Sequence, residues 1–587
     1  MKKLFLPLFF TLLSAGVLSA QERDERVHEY LPAVRIVWMQ DSSAVSGAEN
    51  LLKPGQGQAV LASGGMCSMK SGDGKRPAIL LDFGRELHGG IRLVTGMPAS
   101  QKPVNVRIRF GESVSEAMSE PGGATGAGND HAMRDFHLTL PWLGVAEVGN
   151  SGFRFVRIDL TDDDTQLLLK EISACSIYRD LPYLGSFRCD DPRLNDIWQT
   201  GAYTVHLNMQ NYLWDGIKRD RLVWVGDLHP EMMTVCSVFG HGDIVPRSLD
   251  LARDTTPLPG WMNGIGSYSL WWVIIQRDWF RYQGDLPYLE QQKPYLNGLL
   301  RQIISHMDDK GRERLGGTRF LDWPSSENAA AIDAGLQALT VMALDAGEEL
   351  CRLLGENALA AQCRQTADRA RKTAEKMGRA FLKDRRALQK GDKQAAALLI
   401  LCSAVEPDGR AADILAEGGG KGFSTFYGYY MLEALARAGR HRQATDIVRD
   451  YWGGMLDMGA TTFWEDFDMD WMENAARIDQ IVPTGKKDIH GDYGAYCYRG
   501  FRHSLCHGWA SGPTAWLSRH VLGIDPVRAD EIVIHPHLGS LRWAEGRFPT
   551  PYGVVKVRHD KGPDGRINTA VDAPKEIKIT VKQTPTL

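Results

Sequence analysis

The stretch DGIKRDRLVWVGD, residues 215–227, concentrates groups that can do acid–base chemistry. It contains the aspartates Asp215, Asp220 and Asp227, together with three cations and Trp224. Carboxyl groups that donate or accept a proton serve as general acids and bases. Neighbouring acids and arginines also form ordinary solvated ion pairs. By itself the stretch is therefore compatible either with a capped helix start on the surface or with one wall of an active site.

Two later stretches carry further candidates. In GATTFWEDFDMDW, residues 459–471, Glu465 directly follows Trp464, and burial beside apolar groups raises the pKa of a carboxyl. An acidic surface turn is the alternative, because exposure is the commoner fate of Glu and Asp. In SLCHGWASGPTAWL, residues 504–517, His507 precedes a small-residue helix start. A lone histidine of this kind is more often structural than catalytic.

Composition narrows the class of protein. With 587 residues, 43% of them hydrophobic and 24% charged, the chain is long enough for two or three globular domains. The formal net charge of −4 gives no basic field that would attract nucleic acid. Nine cysteines without a CxxC pair do not indicate a metal cage. Their odd number leaves at least one free thiol, and spacing alone assigns no disulfide.

The N-terminus has the pattern of a secretory signal peptide. In MKKLFLPLFFTLLSAGVLSAQE, two lysines precede an apolar run and then small residues, which places the signal at residues 1–20. A membrane anchor is the alternative, but the apolar run is short. We expect a periplasmic or secreted protein, and we find no later segment long and apolar enough to span a bilayer.

Hydrophobic periodicity divides the rest into β, α and β regions. Residues 21–185 contain short β-rich runs such as AILLDFG and GGIRLVTG. Residues 186–523 contain helical stripes without a fixed repeat, which favours a closed toroid of helical hairpins over an open array. Residues 524–587 return to β patterning. The predicted architecture is multidomain and mainly α, with a helical toroid between an N-terminal and a C-terminal antiparallel β-sandwich.

In this order, the three stretches resemble the bacterial α-L-rhamnosidase family. The segment ILLDFGRELHGGIRLVTG resembles the sandwich that precedes that family's helical domain, and GIDPVRADEIVIHPHLGSLRWAEGRFPTPYGVVKVRH is similar to its C-terminal sandwich. The resemblance covers most of the chain. It implies an (α/α)6 barrel and inverting hydrolysis of terminal α-L-rhamnosides on an oligosaccharide or polysaccharide, with no cofactor or metal.

The resemblance also implies residue roles. Asp220 stands at the general-acid position, where the family usually has Glu, and Glu465 stands at the general-base position. The implied sugar-binding residues are Asp215, Arg219, Trp224, Asp227, Asp322, Trp323, Trp464 and His507, of which Asp322 and Trp323 lie in FLDWPSSEN. We expect Asp220 and Glu465 to face one cavity. Because flanking arginines favour an ionised aspartate, at least one of Arg219 and Arg221 should point away from Asp220.

Two other classes of function remain open at this point. A polysaccharide lyase on a similar toroid would need a base such as Tyr427, Tyr429 or His507, and the paired acids would then have no role. A non-catalytic carbohydrate-binding protein is the third possibility, in which Asp220 in place of Glu marks lost activity.

Overall fold

A computed structural model describes residues 24–62, 64–122, 133–383, 388–496 and 498–583. The expected signal peptide, residues 1–20, lies outside these ranges. Along the described chain, a first group of strands is followed by a mainly helical region and then by further strands.

The N-terminal region is one antiparallel sheet with a small helix, α1 (Val114–Met118), at its side. Its strands are β1 (Arg26–Pro32), β2 (Arg35–Gln40), β3 (Val45–Ser46), β4 (Cys67–Lys70), β5 (Ala78–Thr95), β6 (Val104–Gly111), β7 (Asp135–Leu140), β8 (Gly144–Leu160) and β9 (Gln166–Arg179). The two runs predicted as separate strands are parts of β5, whose register shifts between Asp82 and Leu87. Such bulges bend long strands, so the sheet can curve around its own apolar core.

Twelve helices follow within the described residues: α2 (Pro192–Asn208), α3 (Leu228–Val238), α4 (Ile244–Asp254), α5 (Gly266–Gln283), α6 (Leu286–Ser305), α7 (Ala329–Leu353), α8 (Asn357–Lys383), α9 (Asp392–Leu401), α10 (Arg410–Ala416), α11 (Gly428–Arg437), α12 (His441–Asp457) and α13 (Gly512–Trp516). The odd-numbered helices α3 to α13 are mostly buried, and several are buried over nearly their whole length. Even-numbered helices such as α8 bury one stripe and expose charged residues. The chain therefore alternates between outer and inner helices.

Helix α7 (Ala329–Leu353) corrects the expectation about membrane spans. By length and composition alone this helix could cross a bilayer, although 67% of its most apolar window is buried inside the protein. It packs against α5, α8 and α9. The helix is rich in alanine, leucine and glycine because it lies between other helices. Burial on all sides is the usual reason for an apolar sequence in a core helix.

The remaining strands form two sheets and one small pair, and they differ from the prediction in two respects. The strands are β10 (Ser186–Cys189), β11 (Ala475–Ala476), β12 (Lys487–Asp488), β13 (Ile524–Arg528), β14 (Glu531–Ile534), β15 (Trp543–Thr550), β16 (Gly553–Lys561), β17 (Ile567–Asp572) and β18 (Lys578–Val581), with β11 and β12 forming a separate small pair. Strand β10, placed with the helices by the predicted boundary at residue 186, pairs with β15. Strand β18 runs parallel to β14, so this region is not purely antiparallel. Both pairings join distant segments and have no local signal.

The eight cysteines in the described part of the chain are all buried free thiols; Cys497 lies outside it. No disulfide bond joins any two of the described cysteines, so packing and hydrogen bonding hold these regions together.

Gly89 provides a test of the β5–β9 packing. Its φ is +137°, and a Cβ atom there would overlap the carbonyl oxygen of Cys175 on β9. We expect Gly89→Ala to lower the free energy of unfolding by about 2 kcal/mol or more, because backbone must move to admit the methyl group. Gly64→Ala, where nothing lies within 4 Å, is the matched control. Equal thermal unfolding temperatures for the two variants would contradict this account.

Candidate active site

The stretch 215–227 is an irregular loop that ends at the start of α3. Asp227 occupies the N-cap position of this helix without a side-chain capping bond. Asp215 closes the loop, since its carboxylate accepts from the Leu222 N–H at 2.9 Å and its own N–H donates to the Leu222 carbonyl at 3.0 Å. At the tip, Asp220 and Arg221 have φ of +54° and +55°. Left-handed backbone at two successive non-glycine residues is costly, so surrounding contacts must hold this turn.

Arg219 joins the two predicted catalytic carboxylates. Its Nη1 donates to Asp220 Oδ2 at 3.0 Å, and its Nη2 donates in a very short contact to Glu465 Oε2. Its Nε donates to the Arg502 carbonyl at 2.7 Å, and the guanidinium lies over the Tyr498 ring at 4.4 Å from the centroid. Two residues far apart in sequence thus meet on one buried cation.

Arg221 turns away from this pair, which confirms the expectation that at least one flanking arginine does so. Its Nη1 donates to the Asn150 carbonyl at 2.7 Å, on the N-terminal sheet. The side chain of Asp220 keeps 22% of its surface exposed, whereas that of Glu465 keeps 1%. Of the two carboxylates, Asp220 is therefore the one open to solvent.

Glu465 is fixed by backbone as well as by Arg219. The Ser504 N–H donates to Glu465 Oε2 at 3.1 Å, and the Glu465 N–H donates to the Ser504 carbonyl at 3.0 Å. The Thr425 hydroxyl and the Trp509 indole N–H both donate to the Glu465 carbonyl. Oε1 accepts no hydrogen bond from any described residue and lies 3.6 Å from His507 Nδ1. This oxygen is the one left available for another partner, such as a water molecule.

His507 connects Glu465 to a second buried acid. Its Nε2 lies 3.1 Å from Asp227 Oδ2, and Tyr268 donates to Asp227 Oδ1 at 3.4 Å. Burial, with a smaller effect of Arg219, holds the pKa of His507 well below its usual value, so the imidazole is neutral. Burial and the nearby Asp215 raise the pKa of Asp227 well above its usual range. Asp215 is shifted upward in the same way, by burial first and by Asp220 second.

The aromatic residues around these groups divide into partly exposed and buried rings. Trp224 packs edge-on against Tyr268, with ring centroids 6.1 Å apart. Trp323 stacks on Tyr496 at 6.0 Å and meets Tyr498 edge-on at 5.5 Å. Both tryptophans are half-buried, as a ring that packs on a sugar face must be.

Trp464 differs, because only 1% of it is exposed. It packs edge-on against Phe467 inside the core, and its indole N–H has no partner among the described residues. A sugar-binding role for Trp464 stays a prediction that this arrangement does not favour.

Asp322 acts on the shape of the site through Trp323. Its carboxylate accepts from the Trp323 N–H at 2.9 Å, from Gln394 at 2.9 Å and from the Ser424 hydroxyl. The bond from the Trp323 N–H caps the short 3-10 turn Trp323–Ser325. Burial raises the pKa of Asp322 to about 6. The carboxylate is thus engaged within the protein and fixes the segment that carries Trp323.

The tyrosines considered for a lyase are unsuited to act as bases. Tyr427, the N-cap residue of α11, is fully buried, Tyr429 is 2% exposed, and burial raises the pKa of both well above 10. A tyrosine acts as a base only after it loses its proton, which a raised pKa opposes, so the lyase alternative retains only His507 of the three.

Several residues of the site were missed by sequence reasoning. Tyr268, Tyr498 and Ser504 contact the acids or Arg219, and their positions depend on segments that only the fold brings together.

Glu231, one turn after Asp227 on α3, is fully buried, and neither carboxylate oxygen has a partner among the described residues. Burial raises its pKa well above the usual value, which favours a neutral carboxyl beneath the site.

The alternating helices and the paired carboxylates are the features of a six-hairpin glycosidase. Residues 182–521 match the bacterial alpha-L-rhamnosidase 6 hairpin glycosidase domain, and residues 523–585 match the bacterial alpha-L-rhamnosidase C-terminal domain. The chain belongs to the bacterial alpha-L-rhamnosidase six-hairpin glycosidase family.

Individual relatives agree with this assignment. An alpha-L-rhamnosidase of Alteromonas sp. is 24% identical over 544 residues, covering 84% of this chain and 54% of the relative. The chain spans about half the length of the curated relatives it matches. A GH78 family rhamnosidase of Bacillus sp. GL1 superposes with a TM-score of 0.72 at 22% identity, covering 91% of this chain and 55% of that one. A rhamnosidase from Klebsiella oxytoca with rhamnose bound gives 0.64 at 19% identity, covering 85% and 96%.

The pKa of Asp322 generates a stability prediction. A buried carboxyl whose pKa is raised from 3.8 to about 6 stabilises the fold in full below pH 4, and this contribution is lost as pH rises through 6. Asp322→Asn stays neutral and still accepts hydrogen bonds. We therefore expect the variant to gain stability relative to the parent by up to about 3 kcal/mol between pH 4 and pH 7. Urea unfolding at both pH values measures this, with the exposed Asp309→Asn as control. A difference independent of pH would contradict it.

Proposed function

We propose that this protein is a secreted, inverting exo-glycosidase that releases terminal α-L-rhamnose, or a closely related sugar, from plant or microbial glycans. The observation that carries the proposal is the meeting of Asp220 and Glu465 on Arg219 in a member of this family. Relatives named alpha-L-rhamnosidase and a rhamnose-bound structure of the same fold support the choice of sugar. The signal-like residues 1–20 support secretion.

The proposal includes an (α/α)6 barrel between two β-sandwich domains. Support comes from the six successive pairs of outer and inner helices, α2 to α13, and from the strands before and after them. In such a barrel the inner helices run in the same direction, and their N-terminal ends share one rim. Asp227 and Tyr268, near the starts of α3 and α5, contact each other as this arrangement requires.

The proposed chemistry uses one carboxyl on each side of the sugar. Asp220 donates a proton to the leaving oxygen, and Glu465 removes a proton from the water that attacks the opposite face. An inverting enzyme holds the two carboxyls roughly 6.5–9.5 Å apart to admit that water. When substrate enters, the Asp220 side chain must turn from Arg219 toward the leaving oxygen, while Arg219 stays hydrogen-bonded to Glu465.

The sugar-binding groups support exo action. Asp215, Asp227 and His507 are buried polar groups near one another, and Trp224 and Trp323 offer half-buried rings. In this proposal a terminal sugar binds its hydroxyls to these groups while its linkage points outward toward Asp220. An internal sugar unit would need a second open side.

A substrate panel tests the function as a whole. Nitrophenyl glycosides and rhamnose-containing oligosaccharides are incubated with the protein, and the anomer of the released sugar is followed by NMR. We expect terminal α-L-rhamnosides to be cleaved with the β-anomer appearing first. Initial release of the α-anomer would refute inversion, an unsaturated product would indicate a lyase, and binding without turnover would indicate a non-catalytic relative.

Leaving-group dependence separates the two catalytic roles. We expect Asp220→Asn to lower kcat/KM by about 10²–10⁴-fold on a disaccharide and much less on a nitrophenyl rhamnoside, whose leaving group needs little protonation. Glu465→Gln should slow both substrates by a similar large factor, because water must be activated whatever departs.

Asp220→Glu is the matched variant, since it keeps the acid and restores the residue usual in the family. It should retain far more activity on the disaccharide than Asp220→Asn. If Asp220→Asn cleaves both substrates as fast as the parent, another donor must be the acid, and Asp227 and Glu231 would be tested next.

A further inference from the structure

Two parts of the protein hold the segment 501–505 by hydrogen bonds. This segment supplies the N–H that holds Glu465. On one side lies the loop 215–227, called the catalytic loop below: Lys218 Nζ donates to the carbonyls of Phe501 at 2.8 Å and His503 at 2.6 Å. Its neighbour Arg219 donates to the intervening Arg502 carbonyl. Three successive carbonyls are thus held by two successive cations.

On the other side lies Glu112, which belongs to the N-terminal β-region. It follows β6 and is completely buried. Its Oε1 accepts from the Ser504 hydroxyl at 3.3 Å, and its Oε2 accepts from the Leu505 N–H. The same Oε2 lies 3.0 Å from Lys218 Nζ. One carboxylate therefore ties together the catalytic loop and the segment that carries Ser504.

The ammonium of Lys218 lies in a cluster of acids and a histidine whose spacing would also suit a metal ion. Donor atoms of Glu112, Glu116 and His490 lie within 4.8 Å of one another, which is a spacing that a cation could use. Lys218 Nζ is 3.0 Å from Glu112 and 3.3 Å from Glu116. The His490 ring nitrogens lie 2.8 Å from the Ser113 hydroxyl and 2.9 Å from the His503 carbonyl. The cluster is a satisfied ion-pair network rather than an open ligand set.

We propose that Glu112 is a positioning residue for the general base: it fixes Ser504, whose N–H holds Glu465 Oε2, and so makes the N-terminal β-region part of the catalytic apparatus. This inference rests on the proposed role of Glu465. A buried carboxylate that binds three groups of two segments leaves them little freedom, since a partner lost inside the protein is not replaced by water. A shift of about 1 Å in a positioning group can cost on the order of 10²-fold in rate.

The test compares Glu112→Gln with Glu171→Gln in the full-length protein. Glu171 is the matched control because it is a buried, ion-paired carboxylate of the same sheet whose bonds go to Arg92, Ser173 and Gly57. We expect Glu112→Gln to lower kcat about 10–100-fold with KM within about twofold, and to do so by the same factor on a nitrophenyl rhamnoside and a rhamnosyl disaccharide. Glu171→Gln should lose thermal stability but keep kcat.

The equal factor on both substrates is the signature of a weakened base, as opposed to a weakened acid or a general loss of fold. A folded Glu112→Gln variant with unchanged kcat, an equal loss in Glu171→Gln, or an effect confined to the disaccharide would each overturn the inference. If Glu112→Gln does not fold, Ser504→Ala removes the hydroxyl that contacts Glu112 and also the Cys506 backbone. It should lower kcat about 3–10-fold on both substrates, and an unchanged kcat would overturn the inference equally.

Glu465→Gln, measured in parallel, keeps the two proposals apart. If Glu465→Gln retains full activity, the proposed base is wrong. If Glu465→Gln is inactive and Glu112→Gln is fully active, the base assignment stands and only the positioning role fails.

Discussion

The ion pair between Arg219 and Glu465 is the interaction on which the rest of the site depends. Both side chains are almost fully removed from solvent. Burying two charges is costly unless each is paired and its remaining hydrogen-bonding groups are satisfied. Arg219 meets this condition through Asp220, the Arg502 carbonyl and the face of Tyr498. Glu465 meets it at Oε2 only, through the Ser504 N–H, because Oε1 has no hydrogen-bond partner among the described residues. Removing any of these groups leaves a buried charge less well compensated.

This requirement explains why the chain accepts a strained loop. The successive left-handed residues Asp220 and Arg221 reverse the backbone so that Arg219 faces inward and Arg221 faces the N-terminal sheet. Asp215 and Lys218 anchor the same loop through Leu222 and through segment 501–505. The strain of the turn is offset by contacts of the loop to the N-terminal sheet, to segment 501–505 and to Glu465. The loop is therefore defined by its surroundings more than by its own sequence.

The other acids near the ion pair are arranged so that negative charge does not accumulate. Asp215, Asp227 and Glu231 are all buried, and burial raises the pKa of each well above its usual range. Neutral carboxyls can donate as well as accept hydrogen bonds, which suits a surface that binds sugar hydroxyls. The neutral His507 separates Asp227 from Glu465. On the side of His507 and Asp227, the Arg219–Glu465 pair thus meets uncharged polar groups.

The sequence by itself determined the order of the regions, because strand and helix periodicities are local properties of the chain. It also singled out Asp220, Arg219, Asp227, Glu465 and His507 as candidate site residues, since these residues lie in motifs whose order resembles one family. It could not pair β10 with β15, run β18 parallel to β14, or bury the Trp464 ring in the core. Nor could it find Glu112, Tyr268, Tyr498 or Ser504. These residues matter through contacts with segments that are distant in sequence, and only tertiary packing decides which distant segments meet.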